Sequence, residues 1–537
     1  MNEEIEEYYE ELYRLYVDEN QPLERRYRQL RESLERVVRE KIQGNSLQTT
    51  DLAARINYVA TQYGLDLKEQ NQLHTFRLTS NDILNHRKSP VKEEFLRDLR
   101  AVAYAYRKMF AQDIPLKLFS VLPKQEIASS GKKEKMEYIR RIRVCFDYAD
   151  DTYLYVHPVD VIADEPIRVV YNKPGINHEF EETIKELWRY AQLNLLDVSV
   201  DRDGIYTPSF IVLEPDYLID ISSLAECYKD YGSHPANYFL SRLVPIDNAR
   251  PLLLGNIANL FLDEWIHAGE EEPDYIDCMK KAFRQYPIEL AACAELRDPS
   301  KEKEFAKDCR MHFEHIRDVV QHTFLEPGYN LDKKEAVLEP SYICEALGIQ
   351  GRLDYMQRDM SSFIEMKSGK ADEFSMQGKV EPKENNKVQM LLYMAVLEYS
   401  MGQDRRRMHP YLLYTRYPLL YPARASWAQV RRVINLRNRI VAAEYGVQFH
   451  NHPDFTRNLL AQINPEVVNE RKLSGRFWEQ YLKPSISRFR EKLSALEPLE
   501  QAYFYTLYNF ITKELYTSKS GDVDYEGRAG ASALWLS

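Results

Sequence analysis

GIQGRLDYMQRDMSSFIEMKSGK, residues 348–370, is the stretch on which the reading of this chain turns. Apolar and polar residues alternate in IQGRLDYM and again in SFIEMK, which is the period of a strand. The mostly polar connection from Gln357 to Ser361 joins them most simply as an antiparallel hairpin. Side chains alternate across a strand, so Glu365 and Lys367 share one face, and Ile364 and Met366 share the other. A hairpin paired in register sets Asp354 opposite them, and two carboxylates and one amine then converge on a single point. Carboxylate oxygens are hard ligands suited to Mg²⁺ or Mn²⁺, and magnesium takes one or two of them beside water and substrate phosphate. A lysine at that point can orient a metal-bound water or steady the charge that builds on a phosphate.

An acid-x-Lys triplet alone says little. Asp66-Leu67-Lys68 and Asp332-Lys333-Lys334 repeat it, but neither ends a strand that follows a second strand bearing Asp. Taken by itself, 354–367 also reads as an ordinary hairpin with a surface ion pair. The next element weighs against that. A helix is expected over 384–401, stopped by Gly402, and it sets Gln389 and Tyr393 four apart on one face.

With that third element the chain resembles the RecB-like clade of the PD-(D/E)XK nucleases. The clade's pattern is G-x-x-D, then an acid-x-Lys-(Ser/Thr)-Gly strand end, then a Gln-x-x-x-Tyr helix. Here Gly351-Arg352-Leu353-Asp354, Glu365-Met366-Lys367-Ser368-Gly369 and Gln389 with Tyr393 supply it in that order. The resemblance covers about 250–440. It implies a nuclease core of mixed β-sheet flanked by helices, with Mg²⁺ or Mn²⁺ as cofactor and 5′-phosphate products. Asp354 and Glu365 would be metal ligands and Lys367 catalytic, while Gln389 and Tyr393 would position the DNA strand and the lysine. The clade's Gly-x-x-x-His helix finds its best match in Gly255-Asn256-Ile257-Ala258-Asn259. This puts Asn259, with only an amide oxygen, at a metal-ligand position, with His312 or His315 as substitutes. Several relatives carry an iron–sulfur cluster on one cysteine before the core and three after it. No cysteine follows Cys344, so no cluster is expected. The resemblance narrows towards nuclease–helicase fusions. The phosphate loop of such a motor is not in this sequence, and GASALWLS at the end reads as apolar helix without a terminator. A helicase motor is therefore expected on a longer, full-length polypeptide.

The remainder is read from pattern. A chain of 537 residues is too long for one core, and an α+β multidomain protein is expected. Its parts are a helical amino-terminal region (1–113), a small β-rich domain open to a barrel arrangement (114–240), the nuclease domain (241–480) and a helical carboxy-terminal extension (481–537). Tyr9, Leu12, Tyr13 and Tyr16 have helical spacing, and Asn20-Gln21-Pro22 should break that stretch in two. Further helices are expected near 49–63, 80–86, 91–111 and 179–193, and from 251 to 323. LKLFSVL (116–122), YIRRIRVCFDY (138–148), TYLYVHPV (152–159), IRVVY (167–171), SFIVLEPDYLI (209–219) and HPYLLYTRY (409–417) read as strands, and PKQEIASSGKKEK (123–135) as a loop. A barrel in this region could take single strands.

Apolar content of 44% and charged content of 29% are ordinary for a folded protein. The net charge of −11 offers no global attraction for nucleic acid, so basic residues must be gathered locally. Nine arginines fall between Asp404 and Arg439. Arg405, Arg406 and Arg407, with Arg352, are the candidates for phosphate contact; a solvated helix face and a turn is the plainer reading. The six cysteines form no CxxC pair, and Cys309 with His312 and His315 lacks a fourth ligand. They read as buried thiols of a reducing compartment. The acidic amino terminus is unlike a secretory signal, and no run approaches 18 apolar residues. A cytoplasmic protein free of membrane is expected. The function expected is a metal-dependent DNA nuclease on single-stranded or end-bearing DNA. The alternatives are a weakened nuclease fold that grips DNA for an attached motor, and a protein-interaction scaffold.

Overall fold

The computed structural model describes residues 2–18, 20–42, 52–123, 138–160, 165–201, 203–244, 250–329, 331–374, 379–424 and 426–520. The chain is a mixed α+β protein, with a helical amino-terminal region followed by several mixed sheets interspersed with helices. It divides into two compact units. One takes residues up to 215, 444–451 and the stretch from 512; the other takes 216–443 and 452–511.

The first unit opens with helices α1 (Asn2–Val17), α2 (Leu23–Ile42), α3 (Leu52–Tyr63), α4 (Leu67–Leu84) and α5 (Lys92–Phe110). Their apolar faces interlock through Leu12, Tyr27, Leu30, Leu34, Phe76, Phe95 and Leu99, all without solvent contact. The helix expected near 80–86 is the last turn of the much longer α4. That helix starts on Asp66, which accepts from the Glu69 amide while the Glu69 side chain accepts from the Asp66 amide. The acid-x-Lys triplet at 66–68 is thus a helix cap. LKLFSVL is not a strand but a turn of helix, α6 (Leu116–Phe119). Pro115 precedes it with the fixed φ of a helix start, and Leu116 and Phe119 point to solvent. The loop expected at 123–135 lies outside the described residues from 124 on.

A closed sheet follows: β1 (Tyr138–Ala149), β2 (Tyr153–Pro158), β3 (Ile167–Val170), α7 (Glu181–Lys185), β4 (Gln192–Val200), β5 (Tyr206–Thr207) and β6 (Phe210–Leu213). Strand β1 pairs antiparallel with both β2 and β4, β2 with β3, and β4 with β5 and β6, while β3 meets β5 in parallel. Leu154 and Val156 of β2 and Val169 of β3 are fully buried. The helix expected over 179–193 ends at Lys185. Tyr190 has a φ of 72°, a conformation no helix continues through, and β4 starts two residues later.

The second unit begins with β7 (Ile219–Asp220), α8 (Ile221–Ala225), α9 (Ala236–Leu243), α10 (Arg250–His267), α11 (Tyr275–Gln285), α12 (Pro287–Ala292) and α13 (Pro299–Gln321). Short strands follow: β8 (Ala336–Leu338), β9 (Ser341–Cys344), β10 (Ile349–Arg352), β11 (Tyr355–Gln357), β12 (Ser362–Lys367), β13 (Asp372–Phe374) and β14 (Lys379–Glu381). Then come α14 (Glu384–Met401), β15 (His409–Tyr414), β16 (Leu419–Pro422), α15 (Trp427–His450), α16 (Pro453–Ala461), α17 (Pro465–Val468), α18 (Lys483–Ser494) and α19 (Pro498–Ser520). Among the described residues no helix is long and apolar enough to cross a membrane.

The central sheet has the order β16-β15-β12-β11-β8. Strands β12 and β15 are parallel, a pairing that needs a crossover, and α14 supplies it. Gly402 closes α14 with a φ of 70°. Ile364, Met366, Tyr355 and Leu413 form one core with Leu260 and Phe261 of α10 and Phe313 and Ile316 of α13. The expected hairpin is split. Only Tyr355↔Ile364 and Met356↔Phe363 pair, while β10 belongs to a second sheet of order β7-β10-β9. The chain changes sheets at Leu353 and Asp354, where the Leu353 amide donates to Pro340 O and the Glu339 amide to Asp354 O.

Candidate active site

Alternation along β12 decides which side chains meet. Ile364 and Met366 enter the core shared with α10 and α13, which turns Glu365 and Lys367 the other way. Because Tyr355 is paired with Ile364, Asp354 comes level with Glu365. The Lys367 ammonium donates to Glu365 Oε1 at 2.8 Å. Gln389 Nε2, from α14, donates to the same oxygen at 2.6 Å and to Ser222 Oγ at 3.3 Å. Asp354 Oδ2 accepts from the Met366 amide at 2.6 Å. One turn beyond Gln389, the Tyr393 hydroxyl donates to Arg352 O at 2.5 Å.

The glycines of the motif have a packing reason. A Cβ on Gly351 would stand 3.0 Å from both the Tyr393 hydroxyl and Ile221 Cδ1, and one on Gly255 would stand 3.3 Å from Ser368 Oγ. Gly351 therefore lets α14 approach β10, and Gly255 lets α10 approach the end of β12.

The electrostatics are those of acids forced together. Burial pushes Glu365 up, and the neighbouring Asp354 carboxylate pushes it further, against the pull of Lys367. Burial also raises Asp354, partly offset by the Met366 amide. Burial draws Lys367 down, but the Glu365 carboxylate outweighs it and the net direction is up. Glu365 is only 4% exposed, and its Oε2 is buried with no hydrogen-bond partner. A buried carboxylate oxygen left without a donor is costly. Two level carboxylates with one such oxygen suit a divalent cation that draws its remaining ligands from solvent and substrate. Among the described residues, no group of three or more His, Cys, Asp and Glu side chains is placed to hold an ion.

The other expected residues separate into near and far. Asn259 of α10 is partly buried, one turn beyond Gly255. Arg352 is exposed and pairs with Glu339 at 3.1 Å. Arg405 lies 3.7 Å from Glu398 and covers the Trp427 ring at 4.6 Å, while Arg406 and Arg407 form a turn on Asp404. All three precede His409, which pairs with Ser362 at the opposite end of β12 from Lys367. The structure does not bring them to the acids. Arg437 from the same arginine run is buried, donating to Gly348 O at 3.1 Å and Tyr217 O at 2.6 Å. His312 and His315 contact Thr415 through their Nδ1 atoms at 2.7 and 3.0 Å, anchoring α13 to the end of β15. All six cysteines are buried, and Asp332 of the remaining triplet caps a short helical turn.

One acid escaped sequence reasoning. Asp263 lies on α10 four residues past Asn259, hence on the same face. It is pushed up to about 6, first by burial and then by the Glu339 and Asp354 carboxylates. The i, i+4 spacing from Asn259 was the available signal. No protein-family profile and no curated protein sequence matches the chain.

Proposed function

We propose that this chain is a metal-dependent DNA nuclease of the PD-(D/E)XK type, RecB-like in its motifs, which cuts single-stranded or end-bearing DNA to leave 5′-phosphates. The central sheet with α10, α13 and α14 is then the nuclease core. The observation that carries this reading is Glu365: buried, level with Asp354, held on one oxygen by Lys367 and Gln389, and open on the other. Asp354 and Glu365 would hold Mg²⁺ or Mn²⁺, whose chemistry there would be to polarise the scissile phosphate and lower the pKa of a water. Lys367, already fixed by Glu365, supplies positive charge where the phosphate gains negative charge. Gln389 keeps Glu365 in one orientation, and Tyr393 ties α14 to the strand that ends in the G-x-x-D motif. Arg352, exposed beside Glu339, is available to a phosphate. Asn259 and Asp263 share a face of α10, and Asp263 feels the Asp354 carboxylate.

A second reading has support of its own. With Asn259 where the clade has histidine and, among the described residues, no third ligand of the usual kind gathered, the fold could serve as a weakened nuclease that grips DNA for a helicase motor on a longer polypeptide. Incubation with labelled single-stranded and duplex DNA and Mg²⁺ or Mn²⁺ separates the two. Cutting by the wild type but not by Glu365→Ala or Lys367→Ala supports the nuclease; binding without cutting supports the second reading.

A further inference from the structure

The closed sheet of the first unit has an outer face that the nuclease reading does not use. Strand β2 alternates: Leu154 and Val156 are fully buried, while Tyr153 and Tyr155 are only partly covered. Register carries this alternation to the neighbours. Tyr155 is paired with Tyr148 of β1 on one side and Arg168 of β3 on the other, and Tyr153 is paired with Val170. Side chains of directly paired residues share a face, so Tyr148, Tyr153, Tyr155 and Arg168 stand together on the outside. A bulge between Phe146 and Tyr148 turns Tyr148 into this set. The Tyr148 and Tyr155 rings stack with centroids 4.3 Å apart and planes within 13°. Tyr153 meets Tyr155 edge-on at 6.5 Å, and the Arg168 guanidinium covers Tyr153 at 5.8 Å. Tyr148 remains 50% exposed.

We infer that this face binds single-stranded nucleic acid by stacking bases on the Tyr148–Tyr155 pair, with Arg168 as the cation beside it. A small closed Greek-key barrel in which β1 bridges β2 and β4, of the OB type, takes oligonucleotides or oligosaccharides across its strand 2–3 face. Here that face holds a parallel ring pair, a third ring edge-on to it and a guanidinium over that third ring, which suits bases and a phosphate. The acid beside the rings is exposed but already engaged: Asp150 Oδ1 accepts from the Thr152 and Tyr153 amides at 2.8 and 2.7 Å, and Oδ2 accepts from the Tyr155 hydroxyl at 3.0 Å. Among the described residues Arg168 is the cation placed against these rings, so stacking rather than counterion release carries the affinity. The log–log salt slope should be shallow, about −1 to −2, at roughly −0.7 for each phosphate contacted.

The test is independent of cutting. The 537-residue chain in EDTA is titrated into a fluorescent 15-mer of thymidylate and followed by anisotropy. Tyr148→Ala/Tyr155→Ala should weaken binding about tenfold or more, and Tyr155→Phe, which keeps the ring, should restore it. Because a nuclease site would also hold DNA, Tyr155→Trp provides a local reading: its added emission should be quenched by the 15-mer and far less by the same sequence as duplex. Wild-type affinity in the double variant, an unquenched Tyr155→Trp at saturating oligonucleotide, or equal quenching by a glucose oligosaccharide would each overturn the inference.

Discussion

Two acids lie almost wholly out of solvent, Asp98 among the amino-terminal helices and Glu365 in the central sheet, at 1% and 4% exposure. Burial raises both, Asp98 to about 6. Their oxygens are treated differently. Asp98 Oδ1 accepts from Arg97 Nε and Nη2 at 3.0 and 2.8 Å, and Oδ2 accepts from the Tyr27 hydroxyl at 3.1 Å. Glu365 has its donors on Oε1 alone. Donors on both oxygens fit an acid that holds the fold; on the proposed reading, the orphaned Oε2 of Glu365 is kept for a cation. Cost to stability and cost to activity should therefore separate between the two residues.

The largest effect expected is on cutting. Glu365→Gln and Asp354→Asn should lower metal-dependent cleavage by on the order of 10³-fold or more, with the melting temperature held or raised because one of two crowded buried carboxylates is gone; Lys367→Ala should lower cleavage by about 10²–10³-fold and, by stranding Glu365, cost stability as well. The converse comes next. Asp98→Ala strands Tyr27 and Arg97 and should destabilise the helical region by about 3 kcal/mol, read as faster amide exchange in α5, with cleavage unchanged. A stability loss from Glu365→Gln as large as that from Asp98→Ala would break the comparison.

Titration sharpens it. The folded-state value of Asp98 is raised from 3.8 to about 6, so its contribution is full below pH 3.8 and is lost as pH rises through 6. The change is on the order of 3 kcal/mol, and Asp98→Asn, which keeps an acceptor for Tyr27, should flatten it. His312 runs the opposite way. Burial first depresses it to about 4, so its contribution is present above pH 6.5 and is lost as pH falls towards 4. Exchange protection measured against pH should fall with rising pH in α5 and with falling pH in α13. The smallest effect belongs to Tyr393→Phe, which removes one bond to Arg352 O and should slow cutting by about tenfold or less.

Local chemistry made much of this legible in advance. Gly402 marked the end of α14, alternation in SFIEMK placed Glu365 and Lys367 on one face, and four-residue spacing aligned Gln389 with Tyr393. What sequence could not carry was set by partners distant along the chain. The split of 348–367 between two sheets depends on Pro340 and Glu339 accepting and donating at the bend. Asp263 feels the Glu339 and Asp354 carboxylates from α10, a helix packed close to the end of β12 at Gly255. The arginine run, uniform in sequence, scatters: Arg437 is consumed by backbone carbonyls inside the fold, and Arg405–Arg407 fall at the wrong end of β12.

The open oxygen of Glu365 can be tested without any nucleic acid. Titration calorimetry of Mn²⁺ into the 537-residue chain should show binding that is lost in Glu365→Gln and in Asp354→Asn, with circular dichroism unchanged. Equal heats from wild type and both variants would contradict a cation site at these two carboxylates.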